Sequence, residues 1–191
     1  DIYLLQRAGM VLPPEDHTQL LRDYLAATEA VPRPQRDNAR VVINGTFCEQ
    51  PPLALIKSIE MSGCYVVDDD FMLVSRWLLD DVPADGDPLV ELSKAFLHRS
   101  ATTAAKYDMR REDKGVYLLK QVKDGGAEGV VFAAPSFCDP ALLERPMLQD
   151  VLAKNNVPYT AFKYAENTGQ MAPIREQAGT FADSIKLWSA A

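Results

Sequence analysis

Beyond residue 38, short β-branched runs alternate with segments of helical period, and this alternation constrains the fold more than any other feature of the chain. Val41-Val42-Ile43 ends at Asn44-Gly45, a turn signal, and Cys64 to Val67 runs into Asp68-Asp69-Asp70. Gly129 to Ala134 ends in a polar loop, and Tyr159 to Phe162 completes the set. Pro51 to Ser62 carries Leu53, Ile56 and Ile59 on one helical side and stops at Gly63. Pro140 to Asn155 and Glu176 to Trp188 read as helices. A long, mostly helical connection, including Asp87 to Ser100 and Arg111 to Lys123, separates the second strand from the third. Apolar strands joined by helices imply a parallel sheet covered on both faces. The expected fold is α/β: a Rossmann-like, flavodoxin-like open parallel sheet of about four strands, with the first and third as neighbours.

Residues 1–38 stand apart from that pattern. Pro13-Pro14 break one helical segment, Glu15 to Ala30 repeats apolar residues (Leu20, Leu21, Tyr24, Leu25), and Val31 to Asn38 is a Pro-rich charged linker. The expected organisation is a helical N-terminal extension and linker over 1–38 and an α/β domain over 39–191. The chain starts at Asp1, inside helix-like sequence, and so reads as a piece of a longer protein. Its formal net charge of −7 argues against nucleic acid or an anionic membrane as the main partner, since both require a basic face. No apolar run approaches the roughly 18 residues of a membrane span. Cys48, Cys64 and Cys138 are far apart and form no CxxC, and only His17 and His98 could join them. That count fits neither a disulfide scaffold nor a self-contained zinc site, and a reduced, cytoplasmic setting is expected. With no Walker motif, the chain by itself is not expected to hydrolyse ATP.

Open α/β sheets bind ligands outside the carboxyl ends of their strands. Thr46-Phe47-Cys48-Glu49, Asp68 to Asp70, and Ser136-Phe137-Cys138-Asp139 fall on that edge, whereas Cys64 opens a strand at the other end and reads as structural. Cys138 has the strongest physical case. It precedes a helix start, where backbone N–H groups and the helix dipole favour a thiolate, and Asp139-Pro140 reads as N-cap and first helical residue. Such a thiol could be a nucleophile, a redox group or a metal ligand, and a buried small hydrophobe is the plain alternative. Neither histidine sits at a strand tip to serve as a general base, which weighs against hydrolysis. Cys48 could approach Cys138 or be a loop cysteine. The acidic triplet could bind a hard cation, with capping in a solvated loop as the alternative. Gly125, Gly126 and Gly129 read as a helix stop and turn. Gln170, Arg175 and Glu176 could converge just before the last helix to hold an anionic or thioester ligand, or form an ordinary capping array.

From Arg40 onward, RVVINGTFCEQPPLALIKSIEMSGCYVVDDD, GAEGVVFAAPSFCDP and GQMAPIREQAGTFADSIKLW resemble, in order, segments of the 2-hydroxyacyl-CoA dehydratase D-component family. The F-C-D-P element after a strand is the most specific of these, and the REQAGTFADSIKLW ending is similar to the ATP-dependent benzoyl-CoA reductase branch. The resemblance implies a Rossmann-like domain of a heteromeric iron–sulfur enzyme whose low-potential 4Fe–4S cluster is held by three cysteines. Cys138 corresponds to the third, and the other two belong to a preceding domain that nothing here matches. One ligand does not hold a cluster, so this piece alone is expected to lack it and to be inactive. Partners implied are a homologous cluster-bearing subunit, ATP-hydrolysing activator subunits and a CoA thioester substrate, with Cys48, Gln170, Arg175 and Glu176 as candidates to contact the thioester. Arg76, Lys106, Arg110 and Arg111 are candidates for the CoA phosphates. The activity implied is ATP-driven reduction of the aromatic ring of benzoyl-CoA. The alternatives are a subunit of an (R)-2-hydroxyacyl-CoA dehydratase, or a non-catalytic α/β domain that packs against a partner.

Overall fold

In a computed structural model, β1 (Ala39–Asn44), β2 (Cys64–Asp69), β3 (Gly129–Pro135) and β4 (Tyr159–Tyr164) form one all-parallel sheet in the order β2-β1-β3-β4. The structure describes residues 1–45, 51–71, 81–99, 115–165 and 171–189. The expected α/β class and the adjacency of the first and third strands are both present. β3 is buried along its whole length and β1 everywhere but Arg40, because helices cover both faces of these central strands. The edge strands β2 and β4 are only partly buried.

Alternation along the strands sends successive side chains to opposite faces. Val42, Val130 and Phe132 pack with Leu118 and Val122 of α5 (Val116–Asp124) and Leu148 and Leu152 of α6 (Asp139–Lys154). The opposite face meets α3 (Leu53–Met61) and α7 (Met171–Ser189), which pack together. Gly129 belongs to that second face. A Cβ there would lie 2.7 Å from Phe181 Cζ and 2.9 Å from Ile185 Cδ1, so the missing side chain lets α7 lie directly on β3.

Several element ends differ from the sequence reading. β2 continues through Asp68 and Asp69, because its register against β1 skips Val67: Val41 pairs with Val66 and Val42 with Asp68. That bulge carries the strand past its apolar run. α7 starts at Met171 rather than Glu176, since Pro173 stands in the first turn, where an absent N–H costs nothing. Helix α3 stops as expected, with Gly63 at φ +95° just past its end.

By internal contacts the chain divides into two compact units, Asp1–Asp37 with Leu73–Ser100 and Asn38–Met72 with Ala101–Ala191. The described part of the first holds α1 (Ile2–Ala8), α2 (Pro14–Ala30) and α4 (Pro88–His98). There His17 Nε2 lies 2.8 Å from the Leu5 carbonyl, and Asp87 caps α4 by accepting from the backbone N–H groups of Leu89 and Val90. Both histidines belong to this unit.

Candidate functional site

The carboxyl ends of β1 and β3 lie side by side, and the helices that follow them, α3 and α6, leave to opposite faces of the sheet. That is the switch point at which open α/β sheets take ligands. Strand β3 ends in a tight turn: the Cys138 N–H donates to the Pro135 carbonyl at 3.0 Å, closing Pro135-Ser136-Phe137-Cys138. The turn is tied sideways to β4, where the Ser136 N–H and Oγ–H both donate to the Tyr164 carbonyl, at 2.8 and 2.9 Å. Phe137 points away from all of this and is 95% exposed.

Cys138 itself is the N-cap of α6, with Asp139 the first helical residue and Pro140 in the first turn. This moves the expected cap back by one residue, because the Cys138 carbonyl already accepts the first intrahelical bond, from Leu142 N at 3.1 Å. Asp139 then places a carboxylate in the first turn, at the positive end of the helix dipole. The cysteine is 7% exposed and packs with Ala134, Ala141 and Leu142. Its side chain makes no capping hydrogen bond.

Two neighbouring strand ends are also locked. Asp70, buried at 6% exposure, accepts the Gly45 N–H at 2.6 Å, while its own N–H donates to Ile43 O at 3.1 Å. Gly45 has φ +106°, and a Cβ there would come within 3.1 Å of Ala133 O, so glycine is what lets the end of β1 lie against β3. Gln121 Nε2 donates to Asp68 Oδ2 and to Asp69 O, both at 3.0 Å, and Asp69 Oδ1 accepts from Phe71 N. The acidic triplet therefore works as strand and turn scaffolding. Among the described residues no group of three or more His, Cys, Asp or Glu is arranged to hold a metal ion.

Cys64 is fully buried at the opposite end of the sheet, and burial pushes its thiol up to about 11. It is kept protonated and inert, as its position suggested. Arg175 and Glu176 are exposed on the second turn of α7. The Arg175 carbonyl accepts from Ser62 Oγ beside the start of β2, and the neighbouring Gln177 reaches Thr160 and Ala161 near the start of β4. Among the described residues no contact joins their side chains to Cys138. Cys48, Gln170, Arg76, Lys106, Arg110 and Arg111 lie outside the described residues. Sequence reasoning missed the Ser136–Tyr164 and Asp70–Gly45 locks. The only local signals were a serine after a strand and the last residue of an acidic run.

The chemistry available is that of one thiol, held in a small apolar pocket at a helix N-terminus on the ligand edge. A soft thiolate donor there suits iron–sulfur ligation, but one donor completes no cluster. Cys138 thus fits the chemistry of a single cluster ligand, and the described residues hold no group of three such donors.

A family model described as 2-hydroxyglutaryl-CoA dehydratase, D-component, matches residues 1–185. A benzoyl-CoA reductase polypeptide of Thauera aromatica is 69% identical over 189 residues, 99% of this chain and 49% of that protein. The beta subunit of (R)-2-hydroxyglutaryl-CoA dehydratase from Acidaminococcus fermentans is 23% identical over 181 residues, 94% of this chain and 47% of that protein. The (R)-phenyllactyl-CoA dehydratase beta subunit of Clostridium sporogenes is likewise 23% identical, covering 95% of this chain and 47% of that protein. The chain spans about half the length of the curated relatives it matches.

Proposed function

The chain belongs to the 2-hydroxyglutaryl-CoA dehydratase D-component family, and from that premise we propose that it is part of a benzoyl-CoA reductase subunit. The observation that carries this reading is the 69% identity to the Thauera aromatica benzoyl-CoA reductase polypeptide over almost the whole chain, against 23% to the dehydratase subunits. In this reading the enzyme is a cytoplasmic, anaerobic heteromer. Its ATP-hydrolysing activator subunits drive electrons to a cluster-bearing pair of homologous subunits, which reduce the aromatic ring of benzoyl-CoA.

Cys138 supplies one thiolate to a 4Fe–4S cluster whose other protein ligands lie outside this chain. When bound, the cluster supplies single electrons at low potential, which is what an aromatic thioester requires. The chain's own contribution is placement and dryness. The β3–α6 turn sets the thiol at the switch point, and Ala134, Ala141 and Leu142 keep water from its inner side. Cys48, Gln170, Arg175 and Glu176 are carried in the same reading as contacts to the thioester, with Arg175 and Glu176 exposed and available to a ligand.

Anaerobic iron–sulfur reconstitution of the full-length subunit and its Cys138→Ser variant tests the ligand assignment. The variant is expected to bind substantially less iron and sulfide than the parent. Equal loading would refute the role of Cys138. Assay of the assembled complex with benzoyl-CoA and with 2-hydroxyacyl-CoA thioesters tests the branch, and dehydration without ring reduction would overturn it.

A further inference from the structure

We propose that Ser136 is the positioning residue that fixes the Cys138 thiol at the sheet edge, by clamping the β3–α6 turn to the end of β4. The proposal rests on the reading of Cys138 as a cluster ligand. Three observations make the clamp decisive. The Cys138 side chain makes no capping hydrogen bond and is packed by the short side chains of Ala134 and Ala141, with Leu142 beside them. Such neighbours exclude water but do little to set where a sulfur sits, so its position follows the backbone. The side chain of Phe137, the residue before it, is 95% exposed, so the ring does not hold the turn.

The side-chain restraint upstream is Ser136. β3 and β4 pair up to Pro135 and Tyr164, and Pro135 has no N–H to donate. The ladder closes one residue later, where the Ser136 N–H and Oγ–H both donate to the Tyr164 carbonyl, at 2.8 and 2.9 Å. Two donors on one carbonyl use both its lone pairs and fix the serine in direction as well as distance. From that point two residues lead to Cys138, and the Cys138 N–H to Pro135 O bond closes the turn over them. The backbone bond to Tyr164 is open to any residue but proline, whereas the Oγ bond is specific to serine or threonine. Ligand-orienting groups of this kind are what holds a metal site in its productive geometry.

The test uses the full-length subunit in its assembled complex, as parent, Ser136→Ala, Ser136→Thr and Cys138→Ala. In the metal-free protein, alkylation of Cys138 by a small haloacetamide, followed peptide by peptide, reads the clamp directly. Ser136→Ala is expected to react about fivefold faster, the effect of losing one net hydrogen bond, and Ser136→Thr to match the parent. In the anaerobically reconstituted protein, Ser136→Ala is expected to lose iron to a chelator about fivefold faster and to show an altered electron paramagnetic resonance signal of the reduced cluster, both restored by Ser136→Thr. Parent-like alkylation and a parent-like signal in Ser136→Ala would overturn the proposal, as would equal disturbance in the alanine and threonine variants. If Cys138→Ala holds the cluster like the parent, the ligand reading itself fails, and the alkylation result still decides the clamp.

Discussion

Replacing Cys64 with alanine isolates what the buried thiol contributes, through its effect on stability against pH. Cys64 is fully buried, and its Sγ lies 4.0 Å from the Ala178 carbonyl on α7. Burial raises the thiol from 9.0 to about 11, because an anion there would be stripped of water. A thiol raised in the folded state contributes stability that is fully present below the unfolded value and is lost as pH rises through the folded value. The window of loss therefore opens near 9 and closes near 11. Linkage converts the shift into about 1 kcal/mol lost by pH ~10 and about 2 kcal/mol by pH ~11. Alanine removes the titration and introduces a cost of its own from the lost sulfur, and that cost does not vary with pH. Urea unfolding of the parent and of Cys64→Ala, across neutral to alkaline pH, measures the difference between them. The expected result is a difference that is flat below pH ~9 and moves by about 2 kcal/mol in favour of the variant by pH ~11. A difference that stays constant over the whole range would refute the reasoning, because it would mean that the thiolate is solvated or paired in the folded protein.

Gly129→Ala would place a Cβ 2.7 Å from Phe181 Cζ, 2.9 Å from Ile185 Cδ1 and 3.1 Å from the Pro158 carbonyl. The carbonyl is backbone and yields little, so the variant is expected to lose about 2 kcal/mol and to melt about 4–8 °C lower by differential scanning calorimetry. An unchanged midpoint would mean that α7 does not rest on β3 there. Phe137→Ala removes the most exposed of the large apolar side chains described, and its unfolding free energy is expected to stay within about 0.5 kcal/mol of the parent. A loss of about 2 kcal/mol or more would show that the ring packs against the protein and that the turn does not rest on Ser136.

The parts of the fold legible in the sequence are those whose burial repeats along the chain. β1 and β3 are central strands covered on both faces, so Val41-Val42-Ile43 and Val130 to Ala134 appear as unbroken apolar runs, and their order followed from helix alternation. The ends were less legible because each is set by a contact with a distant residue. The bulge at Val67 carries β2 into charged sequence, and a proline that looks like a barrier at 173 sits harmlessly in the first turn of α7. The site shows the same division. Cys138 was visible because a strand, a turn and a helix start are all local. What holds it was not, since Ser136 meets a carbonyl 28 residues away and Gly45 a carboxylate 25 residues away.

These locks bear on what the edge is for. Asp70 holds the end of β1, Gly45 lets that end lie against Ala133, and Ser136 ties the end of β3 to β4. All four strand ends are thus joined by hydrogen bonds or close backbone contact at the edge where Cys138 stands. A sheet needs none of this for stability alone, because the ladders and the two helical layers already supply it. Preorganisation matters where a ligand must meet a donor whose position cannot relax, and a cluster-ligating sulfur, the role proposed for Cys138, is such a donor. Among the described residues the edge is thus tied along its backbone and presents the single thiol of Cys138. That combination suits a donor held in place for a ligand set completed elsewhere, the role proposed above for Cys138.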